Sequence, residues 1–233
     1  MELNLLPENA VLLFDKPYQW TSFNLVSKVK SQLKYKFNNN KIKVGHAGTL
    51  DPLATGLLIV CVGKATKTID KLQGLNKEYI ASIKFGATTP SFDLERAIDQ
   101  EYPWEHINAE KIKKTLSGFL GEQEQIPPVF SAVWIDGHRA YKTAHKGGNI
   151  DMPGRMVTFE DLDLLEYNAP LATIRIVCSK GTYIRSFARD LGEKMQSGAH
   201  LINLRRTRVG DFFIKDAYTL ENFNVFLNSY NQL

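Results

Sequence analysis

The sequence contains only two cysteines, and neither lies in a pattern typical of a metal site. There is no Cys-x-x-Cys motif and no cluster of cysteine with histidine, so no metal site is predicted. Cys61 and Cys178 each lie inside an apolar run. We therefore expect both to be small core residues of a protein kept in a reducing compartment.

Other features are absent as well. No apolar run approaches the ~18 residues expected of a membrane-spanning helix. The first ten residues lack the basic region and apolar core of a secretory leader, so we expect a cytoplasmic protein. No internal repeat or low-complexity linker marks a boundary, and residues 1–233 are expected to form one domain.

Charge is distributed unevenly along the chain, although the net charge is only +4. Seven lysines and no acidic residue lie between Lys16 and Leu50. A second basic segment, between Arg175 and Arg208, contains only Asp190 and Glu193 as acidic residues. If both segments converge on one face, they indicate a nucleic-acid-binding surface; the alternative is a set of solvated helix faces.

Hydrophobic spacing predicts more strands than helices, without regular alternation. The pattern therefore favours an α+β fold with a mixed, mostly antiparallel sheet. Helices are predicted from Thr21 or Ser22, with Phe23, Val26, Val29, Leu33 and Phe37 on one face, after Asn108, and after Thr182 as N-cap. Strands are predicted at Ala10–Phe14, Leu57–Val62, Lys77–Phe85, Val129–Trp134, Met156–Leu165, Leu171–Cys178 and Leu201–Val209.

The most informative stretch is the loop 45–56, GHAGTLDPLATG, between two predicted strands. Its glycines and proline specify unusual backbone geometry of the kind that holds functional groups on a rigid scaffold. Pro52 restricts Asp51 to an extended backbone, so the Asp51 carboxylate has a defined direction. From the residues alone, Asp51 is either a turn-forming residue or a functional acid.

The loop and its neighbours resemble the TruB family of tRNA pseudouridine-55 synthases. The resemblance covers nearly the whole chain and is strongest in GHAGTLDPLATGLLIVCVGKATK at 45–67. Further segments resemble the other motifs of the family: Leu12–Pro17, Lys77–Tyr79 with Phe85 and Gly86, Ile126–Val133, Gly137–Tyr141, Cys178–Gly192 and Ala199–Arg208.

The resemblance implies the pseudouridine synthase fold and a reaction in which uridine is isomerised without a cofactor. The bond from C1′ to N1 of uracil breaks, the base turns, and C1′ joins C5, so the reaction requires a carboxylate, a closed pocket and proton transfer. By resemblance, Asp51 is the catalytic carboxylate, Arg185 is its basic partner, and Tyr79 stacks on the target base. Whether Asp51 attacks the base, attacks C1′ or promotes a glycal-like intermediate is left open.

The resemblance also implies residues that bind the RNA. His46 is expected to touch the RNA near the flipped nucleotide, and Tyr183 and Leu204 to form the uracil pocket. Phosphate contacts are also expected from five cations: Lys16, Lys64, Arg205, Arg206 and Arg208. The implied partner is the T arm of tRNA. No membrane and no protein partner is expected, and the protein is expected to be a monomer. In a departure from the family pattern, it is expected to lack a C-terminal PUA-type domain.

Two alternatives remain open from sequence. The chain could be an RNA-binding or tRNA-folding protein in which binding matters more than catalysis, as the two basic segments suggest. The same chemistry could also act on another RNA, such as rRNA or mRNA.

Overall fold

The computed structural model describes residues 9–130, 134–135, 138–139 and 152–230. The chain forms two compact units, the first from Met1–Tyr79 with Arg205–Leu233 and the second from Ile80–Leu204. The predicted α+β class with a mixed, mostly antiparallel sheet is confirmed. Within the described ranges, no helix is long and apolar enough to cross a membrane.

In its described residues, the first unit contains strands, three α-helices and two short 3-10 helices. They are β1 (Asn9–Lys16), α1 (Ser22–Phe37), β2 (Val44–His46), β3 (Ala54–Gly63), a 3-10 helix (Lys64–Thr68), α2 (Ile69–Gln73), β13 (Phe212–Phe213), a 3-10 helix (Ile214–Asp216) and α5 (Leu220–Ser229). Two further strands lead from one unit to the other: β4 (Lys77–Phe85) and β12 (Ala199–Val209).

β3 is the central strand of the first unit's β1–β3–β2 group. It pairs antiparallel with β1 over Gly56–Gly63 and with β2 near its end. Alternate residues of β3 point to opposite faces, and both faces are covered. Leu58, Val60 and Val62 pack in a cluster with α1 and α5, whereas Ile59 and Cys61 pack in a second cluster with α2. Because both faces are apolar, β3 is a rigid base for the loop that precedes it.

α1 begins and ends where its sequence predicts. The Thr21 hydroxyl accepts a hydrogen bond from the Asn24 amide, and Asn38 ends the helix with a left-handed backbone, φ 48°. The predicted apolar face is partly wrong. Phe23 is 75% exposed, and Leu25 is buried in its place beside Val26. The buried face of α1 differs from the predicted one at the start of the helix, where Ser22 is buried and Phe23 is not.

The second unit is built mainly on β11–β10–β7. Its elements are β5 (Ala87–Thr88), β6 (Gln100–Glu101), α3 (Ala109–Ser117), β7 (Gly121–Gln125), β8 (Trp134–Ile135), β9 (His138–Arg139), β10 (Arg155–Asn168), β11 (Leu171–Cys178) and α4 (Ile184–Lys194). β10 pairs antiparallel with β11 and with β7. A triad of rings, Phe119, Phe159 and Phe187, packs with centroids 5.1–6.2 Å apart.

Several sequence predictions can be compared with this unit. The strand Leu171–Cys178 and the Asn108 cap of α3 are confirmed, and both cysteines are buried. Thr182 does not cap α4; its hydroxyl donates to the Ser179 carbonyl, 3.0 Å away, and α4 begins after Tyr183. Of the predicted strand Val129–Trp134, residues 131–133 lie outside the described residues, as do 140–151.

Candidate active site

The loop that carries Asp51 is held in place by buried polar side chains. Ser22 is 2% exposed, and its hydroxyl accepts the Leu50 amide at 2.9 Å and donates to the Leu50 carbonyl at 3.1 Å. The Lys16 ammonium donates to the Pro52 carbonyl at 3.3 Å. The Arg206 guanidinium donates to the Gly48 carbonyl at 3.0 Å. Residues 48, 50 and 52 are therefore each fixed, and Asp51 lies between the last two.

Lys16 is completely buried, in contrast to the predicted phosphate contact. Its ammonium also donates to the carbonyls of Pro17 at 2.9 Å and Trp20 at 2.5 Å. Burial lowers its pKa from 10.5 to about 8; the Asp51 carboxylate opposes this, and Arg206 lowers it further. The Lys16 charge is thus used inside the protein, where it supports the Asp51 loop.

Arg206, for which a phosphate contact was also predicted, is likewise buried, and its guanidinium faces backbone carbonyls. Besides Gly48, it binds the Leu57 carbonyl through Nε at 2.7 Å. One guanidinium therefore joins the Asp51 loop to the start of β3. Gly56 allows this approach, because a Cβ at that position, where φ is +102°, would lie 2.3 Å from the Arg206 carbonyl oxygen.

His46 lies at the end of β2, five residues before Asp51. Burial lowers the pKa of His46, and the charge of Arg206 lowers it further. Its Nδ1 is buried and makes no hydrogen bond with the described residues. Both facts favour a neutral imidazole at pH 7.

The remaining cations of the first unit lie closer to the surface. Arg205 forms a two-point ion pair with Asp15, with distances of 2.7 and 3.1 Å, so its predicted phosphate contact competes with an existing partner. Arg208 lies 3.7 Å from Glu78. Lys64 is exposed, in an open cavity of about 400 Å³, and the described residues that line it include no acid: Asn39, Lys41, Ile42, Lys43, Gly63, Lys64, Thr66 and Lys67.

Tyr79 and three residues of the second unit, Tyr183, Arg185 and Leu204, complete the predicted set. Tyr183 directly precedes α4 and is half-buried. Tyr79 lies in β4 and is buried, as is Leu204 in β12. Arg185, the second residue of α4, is buried; it donates to the carbonyl of Phe130 at 3.2 Å and lies 3.7 Å from the Asp93 carboxylate. The structure thus brings Asp51, Lys16, His46 and Arg206 together in the first unit. The pairing of Asp51 with Arg185 stays a prediction.

Sequence reasoning missed three buried polar residues that organise these groups. Ser22 fixes Leu50, as described above. Asp93 pairs with Arg185, and Gln125 exchanges two hydrogen bonds with the backbone of Tyr183, at 2.8 and 3.1 Å. The sequence offered a weak signal for Asp93 alone, an acid in a loop rich in Ser and Thr directly after β5.

The chemistry available at this loop is that of a carboxylate supported by neighbouring cations and a neutral imidazole. Among the described residues, no group of three or more His, Cys, Asp or Glu side chains could hold a metal ion.

Comparison with known proteins identifies the family. The model of the TruB family pseudouridylate synthase N-terminal domain matches residues 33–184, and that of the tRNA pseudouridylate synthase B C-terminal domain matches residues 185–232. The chain is 54% identical over 221 residues to tRNA pseudouridine synthase B of Phocaeicola vulgatus, covering 95% of this chain and 94% of that protein. It is 52% identical to the enzyme of the same name in Parabacteroides distasonis, covering 93% and 92%.

A solved structure agrees with this result. The crystal structure of a Cbf5-Nop10-Gar1 complex contains a chain that is 27% identical and superposes with a TM-score of 0.73. The match covers 97% of this chain and 56% of that chain, so this chain spans little more than half its length. The chain therefore belongs to the TruB family of pseudouridylate synthases, which makes it a tRNA pseudouridine synthase, an isomerase.

Proposed function

We propose that the chain isomerises the uridine at position 55 in the T loop of tRNA, and that the Asp51 carboxylate acts on a uridine flipped out of the loop. The observation that carries this proposal is the rigid mounting of the Asp51 loop, whose residues 48, 50 and 52 are bound by buried side chains. A turn without a function does not need two buried cations, because burying charge costs free energy. The names of the relatives, which specify tRNA, support the substrate.

Arg185 and Tyr79 have proposed roles beside Asp51. The buried guanidinium of Arg185 orients the Asp51 carboxylate. The ring of Tyr79 stacks on the flipped base. Flipping a base costs a few kcal/mol of lost stacking, and an aromatic platform returns about 1–3 kcal/mol of it.

The reaction neither adds nor removes atoms from the RNA. The glycosidic bond at N1 breaks, the uracil turns within the pocket, and a carbon bond forms at C5, from which one proton is lost while N1 gains one. Tyr183 and Leu204 line the pocket that retains the base. Gln125 fixes the backbone of Tyr183 from both sides, which supports a pocket of constant shape.

RNA binding is assigned to the exposed cations of the first unit and to His46. The lysine cavity, defined by Lys41, Lys43, Lys64 and Lys67, concentrates positive charge. Such a surface attracts phosphates of any sequence, whereas the flipped base and the loop shape supply specificity. The chain acts as a cytoplasmic monomer, and residues 1–233 form one catalytic domain.

The decisive experiment uses two tRNA transcripts, one unmodified and one with cytidine at position 55. Wild-type protein is expected to form one pseudouridine, mapped to position 55, in the first transcript and none in the second. Asp51→Asn is expected to bind both transcripts as wild type does and to form no pseudouridine. Asp70→Asn, which changes an exposed acid in α2, is the matched control and keeps full activity. Full activity of Asp51→Asn would remove Asp51 from the mechanism, and modification elsewhere would overturn the site.

The lysine cavity also favours a second candidate function, in which binding helps tRNA to fold. The test is a strain that lacks the natural gene and carries the Asp51→Asn form. If that form restores normal growth while tRNA contains no pseudouridine at position 55, binding is the main function. If only the wild-type gene restores growth, catalysis is the main function.

A further inference from the structure

The Asp51 loop is held at every second residue by side chains that come from distant parts of the chain. Ser22 binds both backbone groups of Leu50, and Arg206 binds the carbonyls of Gly48 and Leu57. Ser22 lies 28 residues from Leu50 in sequence, and Arg206 lies 158 residues from Gly48. We infer that Ser22 and Arg206 are positioning residues, which set the place of the Asp51 carboxylate for the chemical step. This inference rests on the proposed catalytic role of Asp51.

The arrangement is costly as a means of stability alone. Arg206 and Lys16 are two buried cations, and the charge of Arg206 adds to burial in lowering the pKa of Lys16. Replacing buried charges by apolar side chains of similar volume is often neutral or stabilising. An apolar side chain, however, cannot donate hydrogen bonds that hold the loop backbone in one place. A planar guanidinium offers several donors in a fixed fork, and here it uses them on two carbonyls at once.

The contacts act on backbone atoms around Asp51, so they control its position and leave RNA binding to other groups. Ser22 and Arg206 are almost fully buried, at 2% and 1% exposed. A displacement of about 1 Å in a catalytic group can reduce the rate about 100-fold. Loosening the loop is therefore expected to slow the chemical step while the affinity for tRNA stays unchanged.

The test compares Ser22→Ala, Arg206→Lys and Arg206→Gln with two controls. Ser27→Ala removes an exposed hydroxyl from the same helix, and Arg175→Lys changes another strand arginine whose partners are Asp161 and Asp163. Single-turnover rates of pseudouridine formation are measured at saturating protein, and Kd by filter binding. We expect rates about 10–100-fold below wild type for Ser22→Ala and Arg206→Lys, and a lower rate still for Arg206→Gln. Kd is expected to change by less than about 2-fold, since phosphate contacts dominate affinity.

Rates within about 2-fold of wild type in folded Ser22→Ala and Arg206→Lys would overturn the inference. So would a rate and a Kd that deteriorate together, because these residues would then act through RNA binding. Global unfolding of Ser22→Ala, which removes only a hydroxyl, at the assay temperature would also overturn the inference, because the hydroxyl would then be required for the fold. Failure of the proposed function is separate, because it appears as full activity of Asp51→Asn.

Discussion

The buried lysine beneath the Asp51 loop predicts an unusual dependence of stability on pH. Lys16 has no solvent-exposed surface, and its pKa is lowered from 10.5 to about 8, chiefly by burial. The change that tests this is Lys16→Met, which keeps the length of the side chain and removes its charge. Lys28→Met, at an exposed position of α1, is the matched control.

The magnitude follows from the difference between the two pKa values. At about 1.4 kcal/mol per pKa unit, the change from 10.5 to about 8 corresponds to about 3 kcal/mol. Below pH 8 Lys16 is protonated in both states, and the folded state bears the full cost of the buried charge. Between pH 8 and 10.5 the unfolded state binds more protons than the folded state, so stability rises with pH. The folded protein therefore gains about 3 kcal/mol from this group over that interval.

The assay is urea unfolding of wild type, Lys16→Met and Lys28→Met between pH 7 and 10.5. Tyrosines and the other lysines also titrate in this range, but wild type and Lys16→Met share them, so a comparison of these two proteins isolates Lys16. The unfolding free energy of wild type is expected to rise by about 3 kcal/mol relative to that of Lys16→Met across the interval, and Lys28→Met is expected to follow wild type. In Asp51→Asn the rise is expected to start at lower pH, because Asp51 raises the pKa of Lys16. Parallel curves for wild type and Lys16→Met would refute the reasoning.

Two further predictions concern the same unit. Gly56→Ala is expected to cost more than about 2 kcal/mol of unfolding free energy, because its Cβ would collide with the Arg206 backbone; Gly121→Ala has a similar φ of +91° but open space, and about 1 kcal/mol in urea unfolding is expected. Equal losses would contradict the collision. Lys64→Gln and Lys67→Gln are each expected to make the negative slope of log K against log salt for tRNA binding shallower by about 0.7–0.9. An unchanged slope would remove that lysine from the interface.

The helices and strands were largely predictable, because local patterns specify them. β4 and β11 occur at the predicted residues, and Asn108 caps α3 as its side chain suggests. The errors arose where a local pattern permits two solutions. Both Phe23 and Leu25 can lie on the buried face of α1, and packing against β3 and α5 decides for Leu25.

The sequence by itself determined the family, the position of Asp51 in a loop between two strands, and the absence of any cysteine pattern for a metal. These follow from short, contiguous motifs. Only the tertiary structure decided the use of the cations. Lys16 and Arg206 look like phosphate ligands in a basic sequence, yet both are buried on backbone carbonyls. A charge has the same appearance in sequence whether it faces solvent or a carbonyl, and only packing between residues far apart in the chain decides which.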